Sequence, residues 1–410
     1  MSQNSNQKKY YLSAFILYLN YFIHGIGGSI LSQYKQQFAE QWGAKTLADG
    51  TFDVSSVVFV IAALGLGRLI GLPFSGPLSD KIGRRPSILI GICSYAIYFV
   101  GIALSPNMYV AYLFALVGGI ANSFIDTGVI PACVEIFVDA SGLASILTKL
   151  FISFGQLLLP IMIAFVATNE LPHTTLFYLM AAAFVVLAIL GIFIPLPKKD
   201  AQSSQDDSFF KKVKSIKFTP VNFALVMIGF TCTSTFLLWL NCYQEFAKYS
   251  GMENPSIIQS YYSIGTIIAV ILTAILVGKL VKSVRFLFLY PLIAMIMLII
   301  VYVVHTPIIC SIGGFVIGFS AAGGVLQLAT ATINDMFPTI RGTITSVIML
   351  ASSLANYLVI SIAGMLTSSG GVNGPKYVIL LNIGITFVGV LLALFVNMNY
   401  TKYTQKSSDK

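Results

Sequence analysis

Four side chains that can carry charge fall inside long apolar stretches of this sequence: His24, Arg68, Asp126 and Lys149. Asp126 is the one acid well inside such a stretch, nine residues before Glu135. On a helix it lies about 13 Å from that end. Arg68 precedes Asp80 by twelve residues and Lys149 follows Gly142 by seven, which places them about 18 Å and 10 Å along their own helices. The depths are similar, so an Arg68–Asp126–Lys149 cluster with one net positive charge is geometrically allowed. A carboxylate beside a guanidinium and an amine can take up and release a proton, or hold a charged solute; with His24 these form the expected proton-handling set. The plainer reading is a permanent ion pair that secures helices, with Lys149 reaching to an interface and His24 serving as a helix contact.

Uncharged polar residues in the same stretches form a second group. Asn122 and Asp126 are four apart and share a helical face, as do Asn20 and His24. Thr231, Ser234, Asn241, Gln327 and Thr330 complete the expected solute-binding set, with Gln156, Asn356, Tyr261, Tyr262 and Tyr357 as second-rank members. Each of these could equally tie two helices together.

The elements that carry them follow from composition. Of 410 residues, 57% are hydrophobic and 10% charged, against about 25% charged in soluble domains. Such a chain has too little polar surface to face water. The apolar runs are about twenty residues long and do not alternate, which predicts membrane-spanning helices rather than barrel strands. Twelve spans are expected near 10–31, 53–77, 86–104, 108–134, 142–167, 174–195, 220–246, 256–278, 286–304, 308–333, 342–366 and 376–397. They group as an N-terminal six-helix bundle (1–196), a loop (197–219) and a C-terminal six-helix bundle (220–410). Lys8, Lys9, Lys81, Arg84, Arg85, six lysines between 198 and 217, Lys279, Lys282, Arg285, Arg341, Lys402, Lys406 and Lys410 fall on one side; Lys35, Lys45, Lys248 and Lys376 fall on the other. The rule that basic residues stay inside places both termini in the cytoplasm. It also accounts for the net charge of +9 without a nucleic-acid partner. The short polar Met1–Lys9 segment does not read as a cleavable signal, so the first span is expected to stay. Cys93, Cys133, Cys232, Cys242 and Cys310 are scattered through apolar runs, which predicts packing residues and neither disulfides nor a metal site.

The two halves echo each other. At an offset of 200, Glu135-Ile136-Phe137 matches Asp335-Met336-Phe337, Gly118 matches Gly318, Gly142 matches Gly342, Ser153 matches Ser353, and Gln156 falls opposite Asn356. Gln37-Phe38-Ala39 is repeated as Glu245-Phe246-Ala247. A six-plus-six duplication is expected.

Between the second and third spans the sequence reads Gly76-Pro77-Leu78-Ser79-Asp80-Lys81-Ile82-Gly83-Arg84-Arg85-Pro86. This stretch resembles the signature loop of the major facilitator superfamily, G-x-L-S-D-x-x-G-R-R. Glycines permit a tight turn, Asp80 suits a helix N-terminus, and the arginines call for an acid. The resemblance implies that this acid lies at the end of span 4, where Glu135 stands, and that the set works as a conformational latch. In the second half Gly278, Lys279 and Arg285 survive without the aspartate, and Asp335 is the expected partner of Arg285. The resemblance further implies an all-α fold of two pseudo-symmetric bundles, a cavity lined by spans 1, 4, 7 and 10, and solute binding between the halves with alternating access. Drug antiporters of the superfamily carry a G-x-x-x-G-P-x-x-G-G stretch in span 5. Here that span reads Ser153-Phe154-Gly155-Gln156-Leu157-Leu158-Leu159-Pro160, which favours uptake over efflux.

These readings converge on a monomeric secondary transporter in the cell membrane. It would move a small polar solute, a sugar or an organic or sugar acid, by proton symport, with no cofactor and no enzymatic chemistry. There is no GxxxxGK[ST] loop for ATP-driven pumping. Proton-coupled efflux of drugs or metabolites is the alternative. A non-transporting receptor lacks a soluble domain, and an enzyme lacks a clustered site.

Overall fold

A computed structural model describes residues 10–47, 50–137, 141–197, 218–276, 283–337 and 341–408. The chain divides into two compact units, residues 1–206 and 207–410. Most of the expected 197–219 connection lies outside the described residues.

The first unit holds α1 (Tyr11–Gln33), α2 (Lys35–Gln41), α3 (Ser55–Ile82), α4 (Arg84–Leu104), α5 (Met108–Ile136), α6 (Ser141–Thr168) and α7 (Thr175–Phe193). The second holds α8 (Pro220–Tyr249), α9 (Ile257–Leu276), α10 (Ser283–Val304), α11 (Pro307–Ala321), α12 (Val325–Met336), α13 (Arg341–Gly370) and α14 (Gly374–Ser408). Eleven segments are long and apolar enough to cross a membrane. One of them, Ile344–Tyr400, has 57 residues and is interrupted by a 3-10 turn at Gly371–Asn373. At 1.5 Å per residue it would measure about 86 Å, far beyond the ~30 Å of a hydrocarbon core. It is therefore two crossings, which brings the described total to twelve. Large apolar side chains such as Phe193, Leu113, Ile161 and Val303 stand exposed on the outside of the bundles, where lipid replaces water as the solvent. Serines and threonines fill the inside, most of them bonded to the preceding turn of their own helix.

Three features differ from the sequence reading. The Gly76–Pro86 stretch is no loop. Helix α3 runs through Pro73 and Pro77 to Ile82, and Gly83 alone, at φ 95°, separates it from α4. Of the two glycines expected to turn the chain, only Gly83 does so. The tenth span is broken: α11 ends at Ala321, and Gly324 at φ 117° starts α12. The hydroxyl of Thr273 donates to the Gly323 carbonyl at 3.3 Å, giving that freed acceptor a partner. The third feature is α2, a short helix at the Lys35 end of the first unit. Gln36 exchanges two hydrogen bonds with the Phe52 backbone, and Gln41 donates to the Ser105 carbonyl and bonds His173. This ties three connections together.

Within the first unit α3 packs on α5, α4 on α5 and α7, and α1 on α6. Glycine decides how closely. A Cβ at Gly67 would strike the Leu116 carbonyl, and one at Gly119 would strike the Leu64 carbonyl and the Arg68 amide. The second unit repeats this crossing between α9 and α11, where Gly265 meets Phe315 and Gly318 meets Tyr262. By contrast, the α1–α6 crossing at Gly25 and Gly155 has a hydrogen-bonded counterpart in the second unit, where Thr233 donates to Ser352 at 2.9 Å between α8 and α13.

Overpacking a tight contact costs about 1–3 kcal/mol. Gly119→Val should therefore lower the thermal unfolding midpoint of the purified protein by several degrees. Gly28→Ala, at a glycine with nothing within 4 Å of a Cβ, should leave it unchanged. Equal midpoints for the two variants would contradict the close crossing.

Candidate functional site

The α3–α5 crossing sets Arg68 directly against Asp126. The Arg68 Nη2 lies 2.8 Å from Asp126 Oδ2, and both side chains are largely but not wholly buried, 18% and 16% exposed. The other carboxylate oxygen, Oδ1, accepts from the Tyr21 hydroxyl of α1 at 3.0 Å. Both oxygens of the carboxylate are thus held by donors from two different helices. Ser123, one turn before Thr127 on α5, donates to the Arg68 carbonyl at 3.1 Å and fixes the register of the crossing.

Next to this pair, His24 Nδ1 and the Tyr95 hydroxyl of α4 are 2.6 Å apart. The Tyr21 and His24 rings meet edge to face at 6.5 Å. His24 thus joins the Arg68–Asp126 pair through the Tyr21 ring, so three of the four side chains expected to handle protons lie together on α1, α3 and α5, while Lys149 is half-buried on α6. Tyr21 and Tyr95 belong to this group and were not anticipated. Tyr21 stands three residues before His24, on the same helical face.

The remaining polar candidates divide. Asn20 is buried and its amide donates to the Ile16 and Leu17 carbonyls of its own helix. Thr231, Ser234, Thr330 and Asn241 likewise bond backward within their helices. Asn122 and Gln327 are half-buried. Gln156 reaches Ser29 at 3.5 Å, and its Oε1 is a buried acceptor without a hydrogen-bond partner among the described residues. The same holds for Oδ1 of Asn356, 200 positions on. Tyr262 is buried and Tyr261 exposed; Tyr357 is half-buried. The second unit also contains a set the sequence did not suggest. The Thr235 and Thr386 hydroxyls are 2.8 Å apart, and Asn382 donates to the Thr235 carbonyl at 3.1 Å, which joins α8 to α14.

At the Gly83 end, Arg84 is the hub. Its Nε donates to Glu135 Oε1 at 3.2 Å, and its Nη1 to Asp80 Oδ1 at 3.0 Å and to Ser79 Oγ at 3.1 Å. Ser79 in turn donates to the Thr127 carbonyl. Arg85 donates to the Ile194 carbonyl at 2.7 Å and so anchors the end of α7. Gly76 lies within α3. The second-half copy of this arrangement is not formed. Arg285 and Asp335 are both exposed and make no ion pair with each other. Instead Asn334, next to Asp335, exchanges two hydrogen bonds with Thr345, at 2.9 and 3.0 Å. Without the aspartate and second arginine of the first half, the amide–hydroxyl pair closes this end. Among the described residues no group of three or more His, Cys, Asp and Glu side chains is placed to hold a metal ion.

Comparison with known proteins places these features in context. The profile of the Major Facilitator Superfamily matches residues 11–358. The chain is 36% identical to the uncharacterized MFS-type transporter YfkL of Bacillus subtilis, covering 95% of this chain and 96% of that protein. It is 32% identical to the inner membrane transport protein YdiN of Escherichia coli, covering 98% and 93%. Among solved structures, the inward-open xylose transporter XylE from E. coli superposes with a TM-score of 0.73 at 18% identity, covering 94% and 95% of the two chains, a likeness of fold.

The Arg84 contacts are unequal. Asp80 is 62% exposed and Glu135 only 29%, and ion pairs open to water contribute about 0–1 kcal/mol. Glu135→Gln should therefore lower the unfolding midpoint more than Asp80→Asn does. The reverse order would show that Asp80, not Glu135, anchors Arg84.

Proposed function

The chain belongs to the Major Facilitator Superfamily, and on that premise we propose that it is a secondary transporter carrying a small polar solute together with a proton, with Asp126 as the proton-bearing group. The observation that carries this reading is the doubly held Asp126 carboxylate, paired with Arg68 and Tyr21 inside an otherwise apolar bundle. A charged side chain at the centre of a spanning helix costs about 2.5–3.5 kcal/mol on insertion scales. A purely structural contact between α3 and α5 needs no such cost, because the glycine crossing already joins them. Ionisable residues in spans are usually there to move charge. Here the neighbours suit a proton that comes and goes. Arg68 stabilises the ionised carboxylate, and the Tyr21 hydroxyl can turn from donor to acceptor when Asp126 gains a proton.

The Arg84–Asp80–Glu135 cluster then serves as a latch, made and broken as the transporter changes state, with the Gly83 end and both termini in the cytoplasm. The protein works as a monomer. The xylose transporter that shares the fold moves a small polar solute, which is the class proposed for this chain.

Coupling and a permanent pair part company in Asp126→Asn. In proteoliposomes, the variant should lose uphill accumulation driven by a pH gradient while keeping solute counterflow. Accumulation at the wild-type level by a normally expressed variant would remove Asp126 from the proton path. Asp80→Asn should reduce both activities while leaving the protein in the membrane.

A further inference from the structure

Resting on the reading above, we infer that His24 is a fixed hydrogen-bond donor to the solute, held by Tyr95 as a neutral Nε2–H imidazole. The coupled proton stays with Asp126. The solute class is one that offers an acceptor oxygen, whether hydroxyl, carbonyl or carboxylate, to Nε2.

The argument follows one proton. The Tyr95 hydroxyl lies 2.6 Å from His24 Nδ1, and Tyr95 is 4% exposed. Among the described residues this hydroxyl makes no other hydrogen bond. The ring is not free to turn toward another partner. It stacks on Phe184 of α7 at 4.9 Å with 11° between the planes, and meets Tyr98 edge to face at 6.4 Å. A hydroxyl has one proton, and an imidazole nitrogen presents either a proton or a lone pair. With a proton on Nδ1, His24 would donate to the Tyr95 oxygen and leave the buried hydroxyl proton without an acceptor. Folded chains avoid that arrangement. Tyr95 therefore donates, Nδ1 accepts, and the one ring proton sits on Nε2. An imidazolium is disfavoured for the same reason, since it too carries a proton on Nδ1.

The second nitrogen is open. His24 is half-buried, and its Nε2 makes no hydrogen bond among the described residues yet is not a sealed atom. Gly28, one turn along the same face of α1, is exposed, and a Cβ there would meet nothing within 4 Å. Phe15 is 51% exposed and lies nine positions before His24, about two and a half turns, on the opposite side of the helix. The opening at His24 thus faces away from the apolar side of α1. The titratable groups on the helices around His24 are Tyr21 on α1, the Arg68–Asp126 pair of α3 and α5 that Tyr21 bonds, Tyr95 on α4 and Lys149 on α6. A neutral N–H beside them holds an oxygen, but gives nothing to an ammonium, which has only protons to offer. His24 then selects what binds, and the exchangeable charge stays on the carboxylate.

Histidine side-chain ¹⁵N NMR on the purified full-length protein tests the inference. The His24 signal, among three histidines, is the one lost in His24→Gln. It should show a protonated Nε2 and an acceptor Nδ1 throughout the pH range in which the protein stays folded. Tyr95→Phe should give mixed tautomers, and an imidazolium on acidification. A wild-type Nδ1–H tautomer, or a wild-type imidazolium in that range, overturns the inference. D-Xylose and lactate, which carry acceptor oxygens, should shift the Nε2 resonance, and tetramethylammonium should not. A shift with tetramethylammonium, or with none of the three, overturns the solute class. Should Tyr95→Phe fail to fold, two replacements of His24 decide. Gln carries its amide N–H near the place of Nε2, and Asn carries its own near that of Nδ1. By calorimetry with D-xylose or lactate, His24→Gln should keep the wild-type dissociation constant and His24→Asn should raise it about two- to tenfold. The reverse order overturns the inference. Wild-type accumulation by Asp126→Asn would defeat the proton-carrier reading and leave the His24 tautomer as it was. An imidazolium at His24, with accumulation lost in Asp126→Asn, would defeat the present inference alone.

Discussion

The close approach of α3 to α5 is the contact on which the rest of the first unit depends. In a bilayer, no hydrophobic force drives one helix onto another, because lipid is as apolar as the helix surface. What holds α3 to α5 is backbone contact where side chains are absent, at Gly67 and Gly119, with Ser123 bonding the Arg68 carbonyl across the gap. That contact fixes the height of Arg68 relative to Asp126 and leaves their heads 2.8 Å apart. From there the polar contacts spread outward. Tyr21 arrives from α1, whose own position is set by the glycines against α6, and Tyr95 arrives from α4 to meet His24. A protein that needs a charge in its interior has first to build a rigid frame around it, and here glycine builds the frame.

The same crossing recurs in the second unit at Gly265 and Gly318 without the charges. Frame and chemistry have thus separated between the two halves. One half keeps the glycine contact and adds an ion pair; the other keeps the contact and adds the Thr233–Ser352 and Thr235–Thr386 hydroxyl pairs. The contacts at the Gly83 end differ between the halves in the same way. Arg84 gathers Asp80, Ser79 and Glu135 in the first half, while Asn334 and Thr345 suffice in the second.

Much of this was legible in the sequence. Span positions follow from apolar runs of bilayer length, similar depths along their helices allowed Arg68 to meet Asp126, and the resemblance carried by residues 76–86 implied the Arg84–Glu135 pair. The course of residues 76–83 was not legible. Gly76, Pro77 and Gly83 at a basic end read as loop by local propensity. In the folded chain, however, α3 stays helical to Ile82, and the turn falls on Gly83 alone, whose φ of 95° only glycine adopts readily. The break at Ala322–Gly324 was missed for the opposite reason, since Gly118–Gly119 is also a glycine pair and stays helical. Tyr21 and Tyr95 were hidden among 20 tyrosines, and their partners lie 105 and 71 residues away. Only the folded chain brings such residues together. The expected Arg285–Asp335 pair failed because a degraded motif preserved the two charges while losing the residues that orient them.

The central claim is that the carboxylate held by Arg68 and Tyr21 is an exchangeable proton site and not a fixed strut. Infrared difference spectroscopy of the purified protein, titrated through the pH range in which it stays folded, tests this most directly. A protonated-carboxyl C=O band should appear on acidification, shift with ¹³C labelling of aspartate, and be missing in Asp126→Asn. A wild-type spectrum with no Asp126-dependent band at any pH in that range would make the pair structural and contradict the account.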